Sequence, residues 1–203
     1  MNNSMFIIGI TGGTGAGKTS ALRALESFGA LILDCDEIYH ELLADNERLK
    51  TDLEARFSGV LSESGIDRKR LGEIVFSDPS ALMDLSGITR KYISAEIENR
   101  LESWETQGGK IAAIDAIALI ESGRSKKCDV VVGVTAPVET RIARIMSRDS
   151  ISREQAEMRV NAQKPDSFYE ENCDYMLVGG YDTSAEFEKE CKEFFAELLN
   201  KQS

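Results

Sequence analysis

The chain has 203 residues, and its 35 acidic and 24 basic side chains give a formal net charge of −11 at pH 7. This acidic excess argues against general nucleic-acid binding, which needs a basic surface, but it allows a small anion in a locally positive pocket. Hydrophobic residues make up 42% and charged residues 29%, which is typical of one globular domain, with or without an insertion.

Three further features concern the cellular compartment. No apolar run approaches the roughly 18 residues of a membrane span, and residues 1–4 lack the basic start of a signal peptide. The four cysteines form no C-x-x-C pair, which favours scattered thiols in a reducing compartment. We therefore expect a cytoplasmic protein without nucleic-acid or membrane partners, either monomeric or weakly homo-oligomeric.

Short apolar runs alternate with amphipathic stretches along the chain. Runs that are apolar on both faces are typical of strands in a parallel sheet covered by helices. The alternation therefore predicts an α/β fold with a five-stranded, mostly parallel sheet. The predicted strands are Met5–Ile10, Ala30–Leu33, Ile111–Ile114, Val130–Val134 and Tyr175–Val178.

The region from Glu37 to Glu105 interrupts this alternation. It has helical periodicity without a convincing strand, and Asp78-Pro79 matches an N-cap followed by proline at the first helical position. Because the region is too long for one crossover connection, it is predicted to be a helical insertion.

The last third of the chain carries two clear helix starts. Ser152 with Gln155, and Thr183 with Glu186, have the spacing of a capping box. The helix after Thr183 should dock on the core through an apolar stripe. The stripe consists of Phe187, Cys191, Phe194, Phe195, Leu198 and Leu199.

The segment Gly12–Thr19, here named the phosphate loop, fits the pattern G-x-x-x-x-G-K-[ST] between a predicted strand and a predicted helix. Glycines let the backbone N–H groups surround a phosphate, and the helix start adds a positive end. Lys18 can reach the β- and γ-phosphates, and Thr19 can bind Mg²⁺. The predicted ATP-binding residues are Gly13, Thr14, Gly15, Ala16, Gly17, Lys18, Thr19 and Ser20.

A GTPase would also need an Asn-Lys-x-Asp motif to recognise guanine, and the sequence contains none. Asp84-Leu85-Ser86-Gly87 fits D-x-x-G, but it lies within a helical pattern, so we interpret it as a chance match. The phosphate loop alone does not separate a kinase from an ATPase.

The second predicted strand ends in Asp34-Cys35-Asp36, and ligands of open α/β sheets gather at the carboxyl ends of strands. Asp36 could accept the proton of a hydroxyl group during phosphoryl transfer. Alternatively, Asp36 only caps the next helix, and Asp34 either supports it or is itself the cap.

Two more acids follow the third predicted strand. Asp115 ends that strand, at a position that often supports Mg²⁺ in phosphate-loop proteins, and Glu121 lies shortly after it. The alternative is that each is a solvated acid without a role in the site.

Arginines are frequent around residues 144–163. Arg144 and Arg148 are four residues apart and share a helix face, from which they could close over a polyphosphate. The alternative is a solvated face of mixed charge. His40, the single histidine, lies one helical turn after Asp36 and is either a surface residue or part of the acceptor site.

Taken together, these motifs resemble the dephospho-CoA kinase family. The resemblance is carried by Ile10–Thr19, by Asp34–Leu42, by Leu71–Asp78 and by Arg144–Asp149 with the segment 152–163. The matches follow the order of the family over nearly the whole chain. The D-x-D-x-x-x-H-E-L and R-x-x-x-R-D patterns are more specific than the phosphate loop.

The resemblance implies ATP- and Mg²⁺-dependent phosphorylation of the ribose 3′-hydroxyl of dephospho-CoA. It also implies a nucleotide-binding core (1–36, 106–143 and 164–203), a helical CoA-binding insertion (37–105) and a lid (144–163). Asp36 would be the catalytic base, Lys18, Arg144 and Arg148 would assist transfer, and metal would bind at Thr19. The acceptor would meet Asp34, His40, Asp115 and Glu121.

The sequence departs from the family pattern at several points. The segment Ala116–Leu119 lacks the usual proline, Arg90-Lys91 replaces His-Pro, and Cys173-Asp174 replaces Ala-Asp without the usual preceding lysine. Gly179-Gly180 replaces the turn that meets adenine in the family. Two alternatives therefore stay open: a related kinase for another hydroxyl acceptor, and a nucleotide-binding regulator without transferase activity.

Overall fold

The computed structural model describes residues 5–180 and 183–201. Strands and helices alternate over most of this range. In chain order the elements are β1 (Phe6–Thr11), α1 (Lys18–Ser27), β2 (Leu31–Asp34), α2 (Cys35–Asp45), α3 (Glu47–Arg56), β3 (Leu61–Ser62), β4 (Gly65–Ile66), α4 (Arg68–Ser77), α5 (Pro79–Thr106), β5 (Ile111–Asp115), a 3₁₀ turn (Arg124–Lys127), β6 (Val130–Thr135), α6 (Val138–Asp149), α7 (Arg153–Asn161), α8 (Asp166–Asn172), β7 (Tyr175–Val178) and α9 (Ser184–Asn200).

Five of the strands form one sheet in the order β2-β5-β1-β6-β7. The pairs β1–β5, β1–β6 and β6–β7 are parallel, with Ile10 opposite Asp115 and Ile8 opposite Val130. The predicted α/β fold with a five-stranded parallel sheet is thus confirmed. Four strands extend one residue beyond the prediction, to Thr11, Asp34, Asp115 and Thr135. Each added residue is polar and lies at the carboxyl edge, where a ligand is expected.

The described residues form two compact units. The sheet unit comprises the described residues through Leu33 and those from Gln107 onward, and the helical unit comprises Asp34–Thr106. Among the described residues, no helix is long and apolar enough to cross a membrane.

The core of the sheet unit joins β1 and β6 to helices α1 and α9. Ile8, Ile10 and Val132 are fully buried, together with Leu25 of α1 and Phe195 of α9. Full burial of one such side chain contributes about 1.5–3 kcal/mol. The predicted apolar stripe of the last helix therefore serves to dock α9, and both predicted capping boxes, at Ser152 and Thr183, are present.

The helical unit is arranged around the long helix α5. Asp78 Oδ1 accepts the Ser80 N–H at 2.8 Å and Pro79 is the first helical residue, as the sequence predicted. The expectation of an insertion without strands was wrong, because β3 and β4 pair as a short antiparallel hairpin. In this hairpin Gly65 has φ +105°. Strands of two residues are too short to leave a period-two pattern in the sequence, which is why the sequence did not predict them.

The Glu54 carboxylate anchors this hairpin to α3. It accepts the N–H groups of Gly59 and Leu61, each at 2.7 Å. Both hydrogen bonds, and most of all the one from Gly59, hold the pKa of Glu54 below its ordinary value.

Candidate active site

The phosphate loop connects β1 to α1 at the carboxyl edge of the sheet. Gly12, Gly15 and Gly17 have φ of +142°, +79° and +108°, which side chains rarely tolerate. A Cβ on Gly12 would also lie 2.1 Å from the Val134 carbonyl oxygen of the neighbouring strand. The loop therefore needs glycine both for its dihedral angles and for its close approach to β6.

Helix α1 begins at Lys18, so the first N–H groups of the helix have no acceptor within it. Such a helix start favours a phosphate. Thr19 is exposed in this first turn. The Ser20 side chain instead is buried, and its hydroxyl donates to the Ser184 carbonyl at 3.4 Å, so it fastens α1 to α9.

Lys18 extends over the loop toward the strand edge. Its ammonium donates to the Gly12 carbonyl at 3.4 Å and lies 4.0 Å from the Asp115 carboxylate. Asp115 ends β5 and is buried. The adjacent pairing of β1 and β5 thus brings a loop lysine and a strand-end carboxylate together.

Two arginines of α6 bind the outer side of the phosphate loop. The Arg144 guanidinium donates to the carbonyls of Gly15 and Ala16, at 3.1 and 3.4 Å. The Arg141 guanidinium donates to the Thr14 carbonyl at 3.0 Å. These carbonyl oxygens would repel a phosphate, and here they accept hydrogen bonds from the positively charged guanidinium groups.

Arg148 lies one turn further along α6 and is paired differently. Its guanidinium donates to both Asp149 carboxylate oxygens, at 2.7 and 2.9 Å, and Arg159 bonds the same carboxylate. The Arg148 bonds, more than those of Arg159, lower the pKa of Asp149 to about 2. In this structure the predicted lid arginines therefore bind protein oxygens.

Asp34 and Asp36 belong to the helical unit. The Asp34 carboxylate accepts the N–H groups of Asp36 and Glu37, at 2.8 and 3.1 Å, and so caps α2. The alternative in which Asp36 is the cap was wrong, because Asp34 already binds those N–H groups. Asp36 is exposed, and so is His40 one turn later on the same helix.

Glu121 lines a pocket of about 380 Å³ in the sheet unit. The pocket lies between the segment after β5 and the start of α8. Its other lining residues are Ile117, Ala162, Gln163, Lys164 and Tyr169. Burial, and to a smaller extent the charge of Glu121, raises the pKa of Tyr169 above its ordinary value.

Comparison with known proteins identifies the family to which the chain belongs. The family model described as dephospho-CoA kinase matches residues 6–182. The dephospho-CoA kinase of Geobacter sulfurreducens is 36% identical over 196 residues, covering 95% of this chain and 98% of that protein. This chain belongs to the dephospho-CoA kinase family. A second member, from Dehalococcoides mccartyi, is 40% identical over 165 residues, covering 80% of this chain and 83% of that protein.

A solved structure agrees with this assignment. The dephospho-CoA kinase of Campylobacter jejuni superposes with a TM-score of 0.69 at 26% identity, covering 97% of this chain and 98% of that one. The resemblance to the dephospho-CoA kinase family that the motifs indicated is therefore confirmed.

The structure gives a physical reason for one departure from the family pattern. A Cβ on Gly179 would lie 2.4 Å from the Ala16 carbonyl oxygen in the phosphate loop, and 3.1 Å from the Phe187 ring. A side chain at this position would have to displace the loop. The Arg90 and Lys91 side chains, another departure, are exposed on α5.

Sequence reasoning missed two residues that bind the phosphate loop, Arg141 and Gln163. Arg141 was only one of several arginines in an amphipathic helix, although it is 3% exposed. Gln163 is 149 residues from Thr14, its partner in the loop. The available signal was that Arg141 lies on the apolar face of α6, because a buried arginine needs hydrogen-bond partners for its charge.

Proposed function

We propose that this chain transfers the γ-phosphoryl group of ATP to the ribose 3′-hydroxyl of dephospho-CoA, which gives coenzyme A and ADP. The observation that carries the proposal is the match to dephospho-CoA kinases over nearly the full length of the chain. The phosphate loop, the paired Lys18 and Asp115, and the arginines of α6 support it with the chemistry that phosphoryl transfer needs.

The nucleotide phosphates would bind the N–H groups of the phosphate loop and of the first turn of α1, with Lys18 on the β- and γ-phosphates. Lys18 would leave the Gly12 carbonyl, a neutral partner, for a phosphate oxygen. This exchange favours the nucleotide because the negative charge of a phosphate oxygen attracts the ammonium more strongly than a neutral carbonyl does.

Mg²⁺ prefers oxygen donors, and the Thr19 hydroxyl and the Asp115 carboxylate would supply them. Thr19 would bind the ion directly. The ion supplies charge neutralisation of the phosphates when it is bound.

Asp36 would act as the base. It follows the carboxyl end of β2, where ligands of parallel sheets bind, and its carboxylate is exposed to an incoming acceptor. The acceptor oxygen forms a bond to the γ-phosphorus, the bond from that phosphorus to the ADP oxygen breaks, and Asp36 takes the hydroxyl proton. Asp34 would hold the Asp36 backbone by its cap, and His40 and Glu121 would contact the acceptor.

We further propose the division of labour that the family implies. Residues 1–36, 106–143 and 164–203 would form the nucleotide-binding core, 37–105 would bind the CoA part, and 144–163 would form the lid. Arg144 and Arg148 would exchange their present carbonyl and carboxylate partners for the polyphosphate when the lid closes.

The test is ATP consumption with Mg²⁺, with and without dephospho-CoA, and detection of coenzyme A by mass. We expect product only with dephospho-CoA. Asp36→Asn should lower kcat about 10²–10⁴-fold with ATP affinity retained, because general base catalysis contributes that much. Glu37→Gln, the matched control one residue further along α2, should keep full activity.

Two outcomes would overturn the proposal. If another hydroxyl compound is phosphorylated far better than dephospho-CoA, the chain is a related kinase. If ATP binds tightly and no acceptor is phosphorylated, the chain is a nucleotide-binding regulator.

A further inference from the structure

The carboxamide of Gln163 joins the phosphate loop to α6 through three hydrogen bonds. Its Oε1 accepts the Thr14 backbone N–H and the Arg141 guanidinium, each at 2.8 Å. Its Nε2 donates to the Thr14 hydroxyl, also at 2.8 Å. Because arginine can only donate, the atom facing it must be the amide oxygen, and this fixes the orientation of the amide.

The same arginine closes the connection from the other side. The Arg141 Nε donates to the Thr14 carbonyl at 3.0 Å, and one of its terminal nitrogens lies 3.5 Å from Asp166. Thr14 is therefore held at its N–H, its hydroxyl and its carbonyl by two side chains. We name the set Thr14, Arg141 and Gln163 the amide clamp.

Close packing in the phosphate loop follows from the clamp. A Cβ on Gly13 would lie 2.1 Å from the Arg141 guanidinium and 2.8 Å from the Gln163 amide oxygen. A side chain at position 13 would therefore displace the ends of Arg141 and Gln163, whereas the backbone of Gly13, which is not among the glycines of positive φ, would not itself exclude one.

The neutral amide suits a polyanion site better than a carboxylate would. A glutamate at position 163 could also bind Arg141 and Thr14, but its charge would offset that of the arginine beside the loop. The amide satisfies the same donors and leaves the local potential more positive for phosphate.

We propose that Gln163 is a positioning residue that holds the phosphate loop in its binding conformation before the nucleotide arrives. A glycine-rich loop has more conformational freedom to lose than any other segment. If the clamp fixes the loop during folding, binding no longer bears that entropy cost, and affinity rises by preorganisation. The kinetic part of this inference rests on the proposed function, whereas the nucleotide-binding part does not.

The first test replaces Gln163 with Ala in the full chain and titrates ADP. We expect the Kd for ADP and the KM for ATP to rise about tenfold, with the KM for dephospho-CoA unchanged and kcat changed less than the KM for ATP. Hydrogen exchange of the loop amides in the absence of nucleotide should become faster. Asn172→Ala, which removes an exposed amide that donates to the Phe168 carbonyl one turn earlier in α8, should leave all these values unchanged.

A second pair of variants separates positioning from a purely structural role. Gln163→Glu should keep the thermal midpoint, because it retains the bonds to Arg141 and the Thr14 N–H, and yet weaken ADP binding through its charge. Thr14→Val should weaken ADP binding about two- to threefold, and it should add nothing further in a Gln163→Ala background, since the two residues share one bond.

The proposal is overturned if Gln163→Ala binds ADP as tightly as the wild type, or if its loop amides exchange at the wild-type rate. It is also overturned if the effects of Thr14→Val and Gln163→Ala multiply independently. Failure to detect coenzyme A with the wild-type chain would contradict the proposed function alone, because ADP titration needs no acceptor.

Discussion

The two units differ in how their distant segments are joined. In the sheet unit, side chains far along the chain bind the backbone of the phosphate loop, as Arg141 and Gln163 do at Thr14. In the helical unit, the long-range ion pair Arg56–Asp84 lies at the surface with both side chains 44% exposed, and the pair Arg100–Glu41 is part-buried. The phosphate loop of the sheet unit is thus held by side chains from distant segments, whereas exposed ion pairs contribute only about 0–1 kcal/mol each.

Both units bury apolar side chains, Leu49 and Leu53 among those of the helical unit, which also carries large apolar residues at its surface. In the sheet unit, Phe187 and Phe195 of α9 are almost fully buried. In the helical unit, Phe76 and Met83 are 85% and 74% exposed. We conclude that residues of the helical surface, Arg90 and Lys91 among them, can change at little cost in stability, while the surroundings of the phosphate loop cannot.

The largest effect is expected for Phe187→Ala. Removal of a buried ring next to Gly17 and Gly179 should lower the free energy of unfolding by about 3–5 kcal/mol. It should also weaken ADP binding, because the ring supports the phosphate loop. Urea denaturation and ADP titration measure the two effects, and unchanged affinity in the folded variant would contradict the supporting role.

Leu53→Ala makes the corresponding change in the helical unit, where Leu53 is fully buried in α3. We expect a loss of about 2–5 kcal/mol on denaturation, with ADP affinity of the folded protein unchanged. If this variant binds ADP much more weakly, the contrast between the units does not hold.

Gly179→Ala tests the close approach to the phosphate loop. The added Cβ would lie 2.4 Å from the Ala16 carbonyl oxygen, and relief of such overpacking costs about 1–3 kcal/mol. Because the atom that must move belongs to the loop, ADP affinity should fall as well. Gly29→Ala is a control for adding a methyl group outside the site, since a Cβ there meets nothing within 4 Å, although its φ of +79° brings some strain.

Alkaline pH should destabilise the sheet unit through two thiols, the half-buried Cys173 and the buried Cys191. Burial raises the pKa of Cys173 to about 11 and that of Cys191 to about 12, from an ordinary value of 9.0. Their stabilising contribution is therefore complete below pH 9 and is lost as the pH rises toward these values. At pH 10 the loss should be on the order of 1 kcal/mol per thiol. Denaturation at pH 8 and pH 10 measures it, and Cys191→Ala should show a smaller difference between the two.

The smallest effect is expected for Phe76→Ser in the helical unit. This side chain is 85% exposed, so the free energy of unfolding should change by no more than about 0.5 kcal/mol. A larger loss on urea denaturation would show that Phe76 is packed in solution.

Much of the fold could be predicted from local patterns. Apolar runs located all five strands of the main sheet, and capping residues located the starts of α5, α7 and α9. The hairpin of β3 and β4 was missed because it depends on Glu54, a residue outside it, and on one glycine of positive φ. Local periodicity holds no information of that kind.

The candidate site could be predicted from the sequence only where its residues are contiguous in the chain. The phosphate loop is contiguous, so its pattern is visible, and the family resemblance extends that pattern to the acids and the arginines. Which of Asp34 and Asp36 caps α2 depends on backbone geometry, and the amide clamp depends on two residues far from the loop meeting there. Both features depend on the tertiary structure, which the spacing of residues in a motif does not reveal.

The sheet order has a consequence for how the fold can diversify. Strands β2 and β5 are neighbours in the sheet, yet the helical unit, all but its first residue Asp34, lies between them in the chain. Loop-closure entropy grows only logarithmically, so that each doubling of such a connection costs about 0.6 kcal/mol. A connecting unit of different length could therefore replace this one with little entropic penalty to the sheet.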